Sequence, residues 1–351
     1  LREDITRGGF LGSLRHEARE IEEFFLSERE KEQLRSKGWI WRWFVLAWWV
    51  LKNSLLKLTS FRRILLVIGL ILIFTIDVSM SIGTQVSINY KGLGAMCILL
   101  VLILELKDKL LARNELESGR EVQGAMQPET CPSVPGWELW LYTRSANEVG
   151  GDLVDFLRLD GGRCAVAIGD VAGKGLAAAL FMVKIQSTVR ALAPDFESIE
   201  SLAAKLNAIL LRDGMPGKFA SLFFARFGPE SGDLQFFNAG HMPPLILSAD
   251  GIEELSKGNA ALGLSAGTVF ETRRLRLAAG GTMVVYSDGV TEAQNEVGEF
   301  YGLDRLRSSC NEGRTLAAQA LGEKILARIA AFEGKTHRSD DLSLVVLRRT
   351  A

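Results

Sequence analysis

Hydrophobic and polar positions follow different rhythms in the two halves of this chain. From residue 131 onward, short apolar or alternating runs lie at 138–143, 153–159, 164–168, 221–227, 234–237, 245–247, 269–277, 283–286 and 342–347, bounded by Gly, Asp and Pro. Runs of that length with such punctuation predict strands. Three longer stretches, 175–191, 199–212 and 316–332, read as helices. Strands in series with helices grouped between them predict an α+β domain of antiparallel sheets flanked by helices, not a repeating βαβ unit. This domain is expected over 131–351.

Upstream the pattern changes. Residues 1–38 are rich in Glu and Arg, with Leu14, Ile21, Phe24, Phe25 and Leu34 at helical spacing, and predict a charged amphipathic helix. Residues 39–58 hold five of the seven tryptophans. Their apolar run, 39–51, is too short for a bilayer, which needs about 20 residues. Tryptophan favours the headgroup level, so this segment predicts an interfacial helix. Residues 62–106 contain the apolar stretches ILLVIGLILIFTIDVSMSIG and GLGAMCILLVLILEL and predict a two-span transmembrane hairpin, with one span plus a surface helix as the rival. Lys52, Lys57, Arg62 and Arg63 precede it and Lys107, Lys109 and Arg113 follow it, which places both ends in the cytoplasm.

Asp77 inside the first span is costly unless it finds a partner or lies at the far interface. Residues 107–130 continue as a linker helix that ends near Gln127, because Pro128 follows. Leu99, Ile103, Leu106 and Leu110 step by four, three and four, the spacing of a short dimerising seam. A homodimer through this helix is therefore one expectation. The chain begins at Leu1, which leaves room for residues upstream.

Composition adds exclusions. With 41 basic and 42 acidic residues, no overall field points to nucleic acid. Cys97, Cys131, Cys164 and Cys310 form no zinc spacing and no disulfide framework.

Aspartates carry the candidate chemistry. Asp152 in EVGGD, Asp170 in AIGDVAGKG, Asp288 in YSDGV, and Asp340 with Asp341 in RSDDLSLVVL each stand where a predicted strand meets a loop. One Asp-Gly is an ordinary turn. Four such places, three beside glycine, point to a carboxylate cation site, and oxygen-only ligands suit Mg²⁺ or Mn²⁺.

In order, EVGGDLVDF, AIGDVAGKGLAAAL, KFASLFFARF, NAGHMPPLIL, ALGLS, MVVYSDGVTEA and SDDLSLVVL resemble the successive motifs of SpoIIE/RsbU-type serine/threonine phosphatases, within the metal-dependent PPM (protein phosphatase 2C-like) superfamily. The resemblance runs from about residue 121 to 349 and leaves out the membrane half. It implies two packed antiparallel β-sheets flanked by helices, with two Mn²⁺ or Mg²⁺ ions at one edge. It implies Asp170 as the bridging ligand with the Val171 carbonyl beside it, Asp288 and Asp340 as ligands of one metal, Asp152 on the other side, and Asp341 as a secondary ligand. Arg144 is either a phosphate contact or a surface arginine. The implied partner is a phosphorylated regulatory protein such as an anti-sigma factor antagonist, and the implied location is a bacterial inner membrane with the domain in the cytoplasm.

Where relatives often read GGDFYD, this chain has GGDLVDF, so Leu153 and Val154 are expected to alter substrate contact. Lys174 and His241 have no assigned role, and Gly289 is expected to turn the chain away from the cation. Two rivals remain. The domain could dock a partner without turnover, or Ser265 in GLSAG could be a hydrolase nucleophile with Asp288 and His337, although no strand and helix flank it.

Overall fold

Alternate residues along the strands serve different layers. In β3 (Cys164–Val171), Cys164, Val166 and Ile168 join one buried cluster while Ala165 and Ala167 join another. Side chains in a strand alternate faces, so both faces of this strand are covered and its sequence reads as an unbroken apolar run. β4 (Ala220–Phe227) divides in the same way, with Leu222 and Phe224 on one side and Phe223, Ala225 and Phe227 on the other.

The computed structural model describes residues 52, 56, 58–74, 90–215, 217–229, 232–336, 338 and 340–350. The expected helix over 1–38, nearly all of the tryptophan-rich segment, Asp77, residues 75–89 and His337 lie outside them. Two compact units are present, Leu1–Ala112 and Arg113–Ala351.

In the first unit, α1 (Ser60–Phe74) packs against the start of α2 (Tyr90–Met126). Gly69 and Gly94 face each other so closely that a Cβ on Gly94 would lie 2.7 Å from the Gly69 carbonyl oxygen. Arg62 closes the pair with ion pairs of 2.7 Å to both Glu105 and Asp108. Leu99, Ile103, Leu106 and Leu110 are exposed. Among the described residues only Leu176–Asp195 has the length and hydropathy of a membrane span. Its buried face belongs to the core of the second unit, as in a soluble core helix.

The second unit holds two five-stranded antiparallel sheets. The remaining strands are β1 (Trp137–Arg144), β2 (Leu153–Arg158), β5 (Asp233–Ala239), β6 (Leu245–Ser248), β7 (Gly251–Glu254), β8 (Arg273–Arg276), β9 (Thr282–Tyr286) and β10 (Leu342–Arg349). The sheet orders are β1-β10-β9-β6-β7 and β2-β3-β4-β5-β8. Their inner faces share one core, including Leu141, Val154, Ile168, Phe223, Val285 and Val345. The second sheet is covered by α3 (Leu176–Leu192) and α4 (Ile199–Asp213). The first is covered by α6 (Gly302–Glu312) and α7 (Ala318–Glu333), which follow the single turn α5 (Asp288–Thr291).

Two expected elements differ. The strand expected over 269–277 shrinks to β8, because Phe270 turns into the helix-side core and packs on Phe237 while Val269 points to solvent. α6 escaped notice because its sequence, GLDRLRSSCNE, is mostly polar and buries little beyond Leu306, Ser309 and Cys310.

One ion pair ties α3 to β2. Asp155 is fully buried and accepts from Arg190 Nε at 2.7 Å and Nη2 at 2.9 Å. Removing one member of such a pair leaves a buried charge uncompensated. Arg190→Ala is expected to cost about 2–3 kcal/mol, lowering Tm by about 5–10 °C for a domain of this size. A thermal melt checks this, and an unchanged Tm would show that water reaches Asp155.

Candidate active site

Strand register gathers the aspartates at one rim of each sheet. Leu153 pairs with Gly169, so the start of β2 and the end of β3 lie together, carrying Asp152 and Asp170. In the other sheet Leu344 pairs with Tyr286 and Leu342 with Arg144. The start of β10, the end of β9 and the end of β1 therefore share one rim, with Asp340, Asp341, Asp288 and Arg144 at it.

Contacts show that the two rims meet. Gly151 is a cradle: a Cβ there would lie 3.4 Å from the Val171 carbonyl oxygen and 3.5 Å from Asp170 Oδ1. Asp341 pins the same loop, accepting from Gly151 N at 2.6 Å and Ala146 N at 2.8 Å, with Asp152 N at 3.4 Å. Its carboxylate is thus already engaged by backbone amides, which makes it an organiser of the loop that carries Asp152.

The shared field is strongly negative. Asp152 is buried and its Oδ2 has no hydrogen-bond partner. Burial first, and then Asp170, raise its pKa well above the usual carboxylate range. Burial, followed by Asp288, Asp340 and Asp341, raises Asp170 to about 7. Asp288 is raised by burial and by Asp340. Lys174 offsets part of this charge through a 2.9 Å ion pair with Asp340, whose hydrogen bond raises the lysine pKa.

Does this set fit divalent cations? An orphaned buried carboxylate oxygen, a glycine cradle exposing a carbonyl and a carboxylate, and carboxylates that repel one another all call for a positive charge. The donors are hard oxygens, as Mg²⁺ and Mn²⁺ prefer. Among the described residues no three acidic, His or Cys side chains already close on a single point. The donors fit these ions in chemistry and charge.

Other residues act one step behind this rim. Ser221 Oγ accepts from Asp170 N at 3.1 Å and bonds His241 Nδ1 at 2.9 Å. Burial lowers the His241 pKa to about 4, so it stays neutral. Asn238 clamps the His241 backbone on both sides, donating to its carbonyl and accepting from its N–H. His241 is a positioning residue for Asp170. Lys218 Nζ donates to the Ala172 carbonyl at 2.8 Å, steadying the GDVAGKG loop. From α2, Gln123 grips Gly150 with both ends of its amide, at 2.8 and 3.1 Å. Ser221 and Gln123 carry no sequence signal beyond a polar side chain in an apolar strand or at a helix end.

Three expectations are corrected. Leu153 and Val154 are buried in opposite core clusters, so the change from relatives acts on packing, with Val154 lining the small cavity beside Asp152. Gly289 has no positive φ; it lies in the first turn of α5, where a Cβ would come within 1.9 Å of the Asp341 carbonyl oxygen. Its role is close approach, not a bend. Ser265 lies exposed in a turn with no strand before it or helix after it, so no nucleophile elbow forms.

The family model described as Stage II sporulation protein E (SpoIIE) matches residues 160–350, over half of the chain. The chain belongs to the SpoIIE family. Its C-terminal unit has the two-sheet fold of PP2C domains. Protein IcfG of Synechocystis sp. is 29% identical over 273 residues, covering 70% of this chain but only 43% of IcfG, so the chain spans less than half of that relative. Phosphoserine phosphatase RsbU of Bacillus subtilis is 26% identical over 240 residues, 68% of this chain and 70% of RsbU. The SiaA-PP2C domain of Pseudomonas aeruginosa has the same fold, with a TM-score of 0.58 at 16% identity over 69% of this chain and 98% of that one.

Proposed function

We propose that this SpoIIE-family domain hydrolyses phosphoserine or phosphothreonine on a regulatory protein, such as an anti-sigma factor antagonist, using two Mn²⁺ or Mg²⁺ ions. The observation that carries the reading is the convergence of Asp152, Asp170, Asp288 and Asp340, from two sheets, on one strand-end rim with Asp170 raised to about 7. Asp170 and the Val171 carbonyl would hold the cations, Asp288 and Asp340 would add ligands from the other sheet, and Asp152 would complete the set. When bound, the ions lower the pKa of a water and neutralise phosphoryl oxygens.

The chain's own residues supply positioning. Asp341 fixes the Asp152 loop, His241 and Ser221 fix the Asp170 backbone, and Arg144 stands at the rim for the phosphoprotein. The mode needs no protein nucleophile. The test is phosphate release from a phosphoserine peptide by the full chain with Mn²⁺. Asp288→Asn is expected to lower the rate more than about 100-fold, since even residues behind metal ligands cost 10–100-fold, while Ser265→Ala leaves it unchanged. No release with either metal favours a docking module without turnover.

We also infer that residues 62–106 anchor the protein in a bacterial inner membrane, with the phosphatase domain in the cytoplasm. The outward faces of α1 and α2 are apolar, including Phe61, Ile64, Ile71, Phe74 and Met96. Small residues let membrane helices approach closely, as Gly69 and Gly94 do. The exposed Leu99–Leu110 seam offers a second copy a face for dimerisation. Release of the expressed chain by alkaline carbonate would rule the anchor out, and a monomer in detergent would rule out the dimer.

A further inference from the structure

Beside the carboxylate rim lies a polar cleft of about 590 Å³ between the end of α2 and the loop after β1. That is within the range of pockets that take small ligands or a few peptide residues, about 300–1,000 Å³. Two guanidinium groups line it, Arg120 from the helix and Arg144 from the end of β1. Neither has a hydrogen bond or ion pair to any described residue. Glu148 is the acidic residue in the lining, so the cleft is net positive, and Asn147 adds a neutral donor and acceptor.

The cleft borders the candidate active site. A small cavity of about 20 Å³ shares Gln123, Gln127, Thr143 and Ser145 with it and is also lined by Asp152. A phosphoryl group held at the rim would thus leave the neighbouring residues of its own chain running into the cleft. Arginine presents a fork of donors that matches a carboxylate, and two of them across one groove select an acidic segment.

We propose that this cleft binds an acidic stretch of the phosphoprotein flanking the phosphorylated residue, with Arg120 and Arg144 as its specificity-determining residues. The inference rests on the phosphatase reading and goes beyond it by naming the sequence character of the substrate. It also gives α2 a place in substrate recognition, because Arg120 is carried on the helix that leads out of the first unit.

Fluorescence anisotropy with the full chain in Mn²⁺ tests this without turnover when the phosphoserine is replaced by its non-hydrolysable phosphonate analogue. Three labelled peptides of this kind differ only in flanks of Glu, Ala or Lys. The Glu-flanked peptide is expected to bind at least about fivefold more tightly than the Ala-flanked one, in line with partly exposed charge pairs. The preference should shrink as salt rises. Arg120→Gln should remove most of it, and Arg120→Glu should make the Lys-flanked peptide the tighter ligand; melts of both variants confirm folding, and Arg120→Gln decides if Arg120→Glu melts early. Equal or undetectable binding of the wild type to all three, or a Glu preference that survives either substitution, overturns the cleft assignment. A parallel assay of the three phosphoserine peptides with Mn²⁺ separates the two claims: a wild-type chain that prefers the Glu-flanked phosphonate yet releases phosphate from no phosphoserine peptide retains the cleft and loses the phosphatase reading.

Discussion

Asp170→Asn is expected to lower phosphate release by more than about 100-fold while raising the stability of the metal-free protein. Two facts drive these opposite effects. Asp170 lies in the field of Asp288, Asp340 and Asp341, at the centre of the proposed cation site. Burial, and then the same crowding, raises its pKa to about 7, well above the usual carboxylate range. A carboxyl raised in the folded state keeps a proton that the unfolded chain has already lost between the usual aspartate pKa of about 4 and that raised value. Stability therefore falls as pH rises from about 4 to about 7, and the full penalty stands above 7.

The penalty at pH 8 is on the order of 2–4 kcal/mol, and the neutral amide removes most of it. Melts in EDTA should show Asp170→Asn gaining several degrees over wild type at pH 8 and little at pH 4.5. Mn²⁺ should raise the wild-type Tm far more than that of the variant. A variant that keeps activity within tenfold, or melts lower than wild type at pH 8, would remove Asp170 from the centre of the site.

Gly289→Ala carries the second large effect. The new methyl would lie 1.9 Å from the Asp341 carbonyl oxygen and 2.9 Å from its carbon, with the Asp340 carbonyl carbon at 3.6 Å. Backbone on both sides must move, because no flexible side chain is there to yield. Ser287 adds to the constraint, since its N–H donates to Ser343 and its Oγ accepts from Ser343 N. Overpacking of this kind costs about 1–3 kcal/mol or more. The shift also separates Asp288 from Asp340, and displacement of about 1 Å at a reacting centre costs about 100-fold in rate. Loss of activity with a lowered Tm is expected. Wild-type activity and Tm in Gly289→Ala would show that α5 and β10 do not approach as described.

Much of the fold was legible because burial on two faces writes itself into a strand. CAVAI in β3 and LVVL in β10 are continuous apolar runs, and both strands are interior to their sheets. The helix expected over 175–191 appears at Leu176–Leu192, with Gly175 at φ 75° at its start, a conformation that glycine adopts without strain. What escaped lacks that signature. β7 is GIEE, an edge hairpin strand, and α6 meets the core along a narrow stripe. At the site, the acidic positions stood out as charges at the ends of apolar runs. Gln123, Ser221 and Arg120 did not, because an amide, a hydroxyl or an exposed arginine is ordinary until its neighbours are known.

The amino-acid sequence by itself determined the α+β class, the order of its motifs and the aspartates at its strand ends. Those are local facts, set by side-chain period and by the cost of placing a carboxylate beside an apolar run. Only the tertiary structure decided which of them act together. Packing of the two sheets brings residues as far apart as Asp152 and Asp341 together, and there the Asp341 oxygens accept from the backbone amides of the Asp152 loop. Gly289 shows the same division. Its sequence, Asp-Gly after a strand, reads as a turn, but the packed β10 backbone makes it a point of contact where a methyl group has no room.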